Sequence, residues 1–182
     1  MIAGRQFRNV ALIGFMGVGK TTAGHLLADL LRFEFIDTDR VIEQRAGRRI
    51  SDIFAQDGEA AFREMERSLV RELESATGKV ISTGGGLVMT PANLESLRQH
   101  SLVVCLWASP ETIYDRVRGQ NHRPLLQTPD PLARIRELLA QRAPIYRKAD
   151  IVMGVDFRHA GDVARHVVRS FRDAQRRFEI GR

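Results

Sequence analysis

The chain has 182 residues, of which 43% are hydrophobic and 27% are charged. No apolar run approaches the roughly 20 residues that a membrane helix needs, so the sequence predicts one globular domain over residues 1–182 and no membrane span. The formal net charge of +6 favours anionic partners, but it does not choose among nucleic acid, a nucleotide and an acidic metabolite.

The N-terminal segment and the single cysteine together predict a cytoplasmic protein. The first ten residues, MIAGRQFRNV, lack the apolar stretch that secretory signals carry. Cys105 lies in the apolar run LVVCLW and has no second cysteine to pair with, so we interpret it as a core residue. Both features suit a reducing compartment.

Short apolar runs alternate with amphipathic helical patterns along the chain. Five runs are predicted to be strands, at residues 10–13, 33–36, 80–81, 102–107 and 151–155. Each run is nearly continuously apolar, as strands covered on both faces are. The alternation therefore predicts an α/β fold in which a parallel sheet carries helices on both faces.

The segment GFMGVGKTT follows the first predicted strand and precedes a helical pattern. Gly14, Gly19, Lys20 and Thr21 match G-x-x-x-x-G-K-[ST] without departure. Such a loop curls its N–H groups around phosphate oxygens at the positive end of the following helix. The motif predicts that Lys20 reaches the β- and γ-phosphates of a nucleoside triphosphate and that the Thr21 hydroxyl ligates Mg²⁺. The alternative is a glycine-rich turn without a ligand.

The run FEFIDTD ends in two carboxylates, Asp37 and Asp39. Residues i and i+2 of an extended chain point to the same side, so we expect the two side chains to lie together beside a cation. The third predicted strand ends in STGGG and carries no carboxylate. Asp37 is therefore predicted to face the magnesium, and Asp39 a hydroxylated substrate. Alternatively, Asp39 caps a helix that begins near Arg40.

Two further signals are weak when each is taken alone. The run Gly84, Gly85, Gly86 permits close backbone approach to a ligand, although a plain flexible turn explains it nearly as well. Arg63 and Glu66 form an (i, i+3) pair. This pair either lies on a solvated face or aims the Arg63 guanidinium at a carboxylate.

Residues 119–131 form an irregular stretch in which three prolines exclude a continuous helix. A stretch of this kind inside a compact domain is typical of a functional lid. Arg123, within it, either reaches over the phosphates or is a solvated loop residue. Arg142 falls inside the apolar arc of the next helical pattern, which predicts contact with an anion unless the side chain snorkels to the surface.

Taken together, these motifs resemble the shikimate kinase family over almost the whole chain. The resemblance rests on GFMGVGKTT, FIDTD, the FRxxE segment from Phe62 to Glu66, STGGG, RPLL from Arg123 and RAPIY from Arg142, in matching order and spacing. It implies the P-loop nucleoside monophosphate kinase fold, with a five-stranded parallel sheet in the order 2-3-1-4-5. A substrate-binding region at about 38–66 and a lid at about 117–131 are implied as well. The implied reaction moves the γ-phosphate of ATP to the 3-hydroxyl of shikimate, in the pathway to chorismate and the aromatic amino acids.

The resemblance also implies the site residues, carried over one by one. ATP is bound by Gly17, Val18, Gly19, Lys20, Thr21, Thr22, Arg116, Arg123 and Arg158, with Arg116 and Arg158 beside the adenine. Mg²⁺ is bound by Thr21 and Asp37. Shikimate is bound by Asp39, Arg63, Gly84, Gly85, Gly86 and Arg142, of which the two arginines take its carboxylate. Lys20, Asp39 and Arg123 are implied in catalysis, with Asp39 as the candidate base.

Other interpretations stay open at this point. The nearest are a kinase of the same fold for another small metabolite, such as gluconate, and a nucleoside monophosphate kinase. A GTPase switch usually carries N-K-x-D, which the sequence lacks, and a nucleic-acid-binding module is encouraged by the charge but by no motif. The expected partners are ATP and shikimate, with neither nucleic acid nor membrane. We expect a monomer, because no helical pattern is apolar all round.

Overall fold

The computed structural model of the chain describes residues 5–119 and 128–180. Within these residues, five strands form a sheet in the order β2-β3-β1-β4-β5, and every neighbouring pair is parallel. The strands are β1 (Asn9–Ile13), β2 (Glu34–Asp37), β3 (Lys79–Ser82), β4 (Ser101–Trp107) and β5 (Ile151–Gly154). The predicted sheet and strand order are confirmed. Each predicted strand is present, and no end of a strand differs from its predicted position by more than one residue.

Helices cover both faces of the sheet. They are α1 (Lys20–Leu31), α2 (Thr38–Ala46), α3 (Ile50–Leu73), α4 (Pro91–His100), α5 (Pro110–Val117), α6 (Pro131–Tyr146) and α7 (Ala160–Ile180), and a 3₁₀ turn at Leu87–Met89 precedes α4. Alternate residues of β1 enter different cores, since Val10 and Leu12 pack in one apolar cluster and Ala11 and Ile13 in the other. This is why the strands read as continuously apolar.

Cys105 lies in the second of these clusters and is fully buried. Burial raises the pKa of its thiol to about 12, so the sulfur stays protonated. Its interpretation as a core residue is confirmed. Among the helices that the structure describes, none combines the length and apolar character that crossing a membrane requires.

The parallel register brings three loops to the same edge of the sheet. Asp37 at the end of β2 pairs with Ser82 at the end of β3, and the N–H of the next residue, Thr83, donates to Leu12 O of β1 at 3.1 Å. The glycine-rich loop after β1, the FIDTD turn after β2 and the STGGG loop after β3 therefore converge, as loops at the carboxyl ends of parallel strands do. Part of the predicted lid, residues 120–127, lies outside the described residues.

Candidate active site

The loop between β1 and α1 has the backbone shape of an anion site. Gly14, Gly17 and Gly19 have φ of 134°, 76° and 93°, in the region that glycine adopts without strain. Gly19 is the N-cap of α1 and makes no side-chain cap, and the first turn of α1 holds no acidic residue. The positive end of α1 is therefore available to an anionic ligand.

The Lys20 side chain lies back along this loop. Its Nζ donates to the carbonyl oxygens of Gly14 and Phe15, both at 2.9 Å. Because the side chain is buried, the ammonium group is held at the loop and not in bulk solvent. This position suits a cation that contacts phosphate oxygens.

Thr21 and Asp37 meet across the gap between α1 and β2. The Thr21 hydroxyl donates to Asp37 Oδ2 at 3.1 Å, and Asp37 Oδ1 accepts from the N–H of Arg40 at 3.4 Å. Hydroxyl and carboxylate oxygens are ligands that Mg²⁺ prefers. The two side chains predicted to bind the metal are thus in contact.

The helix after β2 begins earlier than the sequence predicted. α2 starts at Thr38 and its N-cap is Asp37, whose carboxylate satisfies a backbone donor that would otherwise have no partner in the helix. Asp39 therefore lies in the first helical turn. Two expectations are wrong: the carboxylates do not extend from one strand, and Asp39 does not cap a helix near Arg40. Both acids nevertheless line one cavity of about 610 Å³, together with the phosphate loop.

The glycines after β3 leave room for two of the predicted site side chains. A Cβ atom at Gly84 would lie 2.1 Å from Asp39 Oδ1, and one at Gly86 would lie 2.9 Å from Arg63 Nη1. Neither glycine has a positive φ, so the constraint is space and not backbone conformation. The absence of side chains at these positions leaves the space that the Asp39 carboxylate and the Arg63 guanidinium occupy.

Two carboxylates hold Arg63. Its Nε and Nη2 donate to Glu59 Oε1 at 3.2 and 2.8 Å, and its Nη1 donates to Glu66 Oε2 at 2.7 Å. The Glu66 side chain is 1% exposed, and burial raises the pKa of its carboxyl group against the opposing effect of Arg63. Its Oε1 has no hydrogen-bond partner among the described residues. Because Glu66 is buried and Arg63 is half-buried, this is not the solvated helix pair that was one alternative, and Glu66 helps to fix the direction of Arg63.

Arg142 points inward from α6 to the same glycine loop. Its Nη1 donates to Gly85 O at 3.0 Å, and its guanidinium carbon lies 5.2 Å from the centre of the Phe15 ring. The Tyr146 hydroxyl donates to the same Gly85 O at 3.2 Å. The side chain is half-buried, so the snorkelling alternative is wrong.

Arg116 and Arg158 line the cavity on the side of β5 and α7. Arg116 donates to Val155 O at 3.1 Å and to Gly17 O at 3.4 Å, and so contacts the phosphate loop directly. Arg158 is exposed. Arg123, the third arginine predicted to reach ATP, lies outside the described residues.

The structure brings most of the predicted site residues to one cavity. Its lining includes Gly17, Val18, Gly19, Lys20, Thr21, Thr22, Asp37, Asp39, Gly85, Arg116 and Arg158. Gly84 and Gly86, with Arg63 and Arg142, are not part of this lining. They neighbour the lining, because Gly84 lies against Asp39, Gly86 lies against Arg63, and Arg142 donates to Gly85 O.

Sequence reasoning missed two supporting residues. Thr38 is fully buried, and its hydroxyl accepts from the Gly84 N–H at 2.8 Å, which fastens the glycine loop to α2. Tyr146 fastens the same loop to α6. Only Tyr146 left a signal, because it lies four residues after Arg142 and hence on the same helix face.

The fold and the site together define a class of protein. A parallel sheet in the order 2-3-1-4-5, with a phosphate loop after β1 and an acid that faces it from β2, is a P-loop kinase of the nucleoside monophosphate kinase fold. The sequence model of the family described as shikimate kinase matches residues 16–172. The chain belongs to the shikimate kinase family.

Individual shikimate kinases are also similar to this chain in sequence and in structure. A shikimate kinase of Thermus thermophilus is 51% identical over 160 residues, which cover 87% of each chain. The structure of the shikimate kinase from Acinetobacter baumannii in complex with shikimate superposes with a TM-score of 0.87 at 38% identity, covering 92% of this chain and 94% of that one. A gluconokinase from Sinorhizobium meliloti 1021 has a TM-score of 0.61 at 15% identity, over 94% of this chain and 96% of its own, and shares the fold alone.

Proposed function

We propose that the chain transfers the γ-phosphate of ATP to the 3-hydroxyl of shikimate, giving ADP and shikimate 3-phosphate for chorismate synthesis. The observation that carries this proposal is that the phosphate loop, Asp39 and Gly85 line one cavity. Two guanidinium groups, of Arg63 and Arg142, lie against Gly86 and Gly85 of the glycine loop that borders this cavity. A substrate with one carboxylate and several hydroxyls accounts for both the inward cations and the acid.

ATP would bind along the phosphate loop, where residues 17–22 surround the phosphates and Lys20 contacts the β- and γ-phosphate oxygens. Arg116 and Arg158, which line the same cavity as Val155 and Ala160, would flank the adenine. Arg123 is assigned to the γ-phosphate by the resemblance alone.

The Thr21 hydroxyl and the Asp37 carboxylate, 3.1 Å apart, fit a magnesium ion. Mg²⁺ usually takes only one or two protein oxygens and completes its octahedron with water and phosphate oxygens, so this small donor set is sufficient. When bound, the ion would neutralise charge on the phosphates.

Shikimate would place its carboxylate against Arg63 and Arg142, whose planar guanidinium groups suit that geometry. Its ring hydroxyls would then meet Asp39. As the 3-hydroxyl oxygen bonds to the γ-phosphorus, the bond to the β,γ-bridging oxygen breaks and ADP leaves with that electron pair. The hydroxyl proton passes to Asp39, and Lys20 stabilises the phosphoryl charge.

A coupled assay of ADP release tests this function, with shikimate, gluconate and nucleoside monophosphates offered in turn as acceptors. We expect ADP release that depends on shikimate and Mg²⁺, and little with the other acceptors. Preference for gluconate or a nucleotide would overturn the proposal. A cytoplasmic location and a monomeric state remain predictions from the sequence.

A further inference from the structure

We propose that Glu59 competes with the acidic substrate for Arg63 and so weakens acceptor binding, an inference that rests on the proposed function. A guanidinium offers a carboxylate two bidentate edges, the side formed by Nε and Nη2 and the end formed by both Nη atoms. In the structure, Glu59 Oε1 accepts from Nε and Nη2 and so occupies the whole side edge. The end edge of Arg63 faces Gly86. One of the two nitrogens of this edge, Nη1, already donates to Glu66.

Glu59 is the carboxylate that can leave. The Glu66 side chain is 1% exposed, so its departure from Arg63 would strand a buried charge. The Glu59 side chain is 66% exposed, and an ion pair of this kind contributes little because water replaces the lost partner. A third carboxylate on one guanidinium is repelled by the first two, so substrate binding through the side edge displaces Glu59.

The backbone around Glu59 lowers the free-energy cost of moving its carboxylate away from Arg63. The preceding residue, Gly58, has φ 80° and ψ 171°, which interrupts α3. Glu59 therefore begins the second helical section of α3. A carboxylate in a first helical turn is favoured by the helix dipole even after it has released its partner.

The experiment compares Glu59→Gln with Glu64→Gln in steady-state kinetics. Glu64 is a matched control, because it is exposed on the same helix, pairs with Arg67 and loses the same charge on substitution. We expect Glu59→Gln to lower KM for shikimate by about two- to fivefold, with kcat and KM for ATP unchanged. Glu64→Gln should leave all three at wild-type values. The gain from Glu59→Gln should shrink in roughly 0.5 M salt, which screens an exposed carboxylate.

Each other outcome has a defined meaning. A higher or unchanged KM for shikimate in Glu59→Gln would overturn the proposal, since Glu59 would then orient Arg63 or be without effect. An equal gain in both variants would also overturn it, by showing a general effect of charge. If the wild-type protein releases no ADP with shikimate, this result overturns the proposed function, and the proposal about Glu59, which rests on that function, is overturned as well.

Discussion

Position 84 requires glycine because a side chain there would collide with Asp39, and not because of its backbone conformation. The atom that a Cβ would meet is Asp39 Oδ1, at 2.1 Å, and this is the end of a side chain that can rotate away. The fold should therefore tolerate an added methyl group, whereas the placement of the Asp39 carboxylate should not.

We expect Gly84→Ala to reduce kcat on the order of 10²-fold, which is the scale of a misplaced general base. The melting temperature should stay close to that of the wild-type protein. Steady-state kinetics and a thermal scan measure the two quantities. Gly154→Ala is the control, because a Cβ there meets nothing within 4 Å. Near-native turnover of Gly84→Ala would remove Asp39 from the chemistry or show that the loop adapts.

Arg142→Ala should raise KM for shikimate far more than KM for ATP. The side chain lies half-buried against Gly85 and Phe15, and loss of a bidentate carboxylate contact at such a position costs about 2–4 kcal/mol. Arg147→Ala, just beyond α6 and exposed, is the control. Equal changes in both KM values would argue against the assignment.

These residues show how far single positions could be predicted. The phosphate loop was predictable because its chemistry depends on a local motif, and Arg142 because a cation interrupts an apolar arc. The roles of Gly84 and Gly86 were not predictable, because the side chains that pack against these glycines come from α2 and α3. The sequence pattern around a glycine does not indicate a contact with a residue that is distant in the chain.

At the scale of the elements, Asp37 joins the start of α2 to the candidate metal site. One carboxylate oxygen caps the helix and the other contacts Thr21. The sequence predicted the acid but placed the helix start about two residues too late. A run of alternating apolar and acidic residues does not show where extension ends and a helix begins.

The two roles of Asp37 can be separated by substitution. Asn caps a helix about as well as Asp, so Asp37→Asn should change the free energy of unfolding by less than about 0.5 kcal/mol. Its lost charge should raise the Mg²⁺ concentration needed for half-maximal activity. Asp37→Ala should in addition lose about 1 kcal/mol of stability. Urea unfolding and magnesium titrations measure these effects, and an unchanged magnesium requirement in both variants would contradict the metal assignment.

At the scale of the whole molecule, the sheet edge opposite the cavity carries a buried polar network. His100 Nδ1 lies 3.0 Å from Asn9 Nδ2 and 2.9 Å from Ser101 Oγ. The Asn9 amide is oriented by its other bonds, since Oδ1 accepts from the Lys79 N–H and Nδ2 donates to Ala76 O. Nδ1 of His100 must therefore accept, which requires the neutral imidazole.

This network should make stability depend on pH. Burial, with Arg8 adding to it, lowers the pKa of His100, so the folded state binds fewer protons than the unfolded state below about pH 6.5. Stability is present above that pH and is lost as the pH falls. Urea unfolding between about pH 8 and 5 should show a smaller loss for His100→Asn, whose amide oxygen can still accept. His166→Asn, exposed on α7, is the control and should follow the wild-type protein.

The global arrangement was only partly accessible from the sequence. Alternation of strands and helices predicted a parallel sheet, but the order 2-3-1-4-5 came from the family resemblance. The contact between Arg142 and Gly85 joins positions 57 residues apart, and periodicity carries no information over such a distance.

Gly85 O accepts from two donors that lie one helical turn apart, Arg142 and Tyr146. Burial raises the pKa of the Tyr146 hydroxyl to about 12, so the phenol keeps its proton throughout the working range. If Arg142 turns towards an incoming carboxylate, the carbonyl is still satisfied and the loop stays anchored. Because of this redundancy, the glycine loop can keep its position while substrate binds and product leaves over many turnovers.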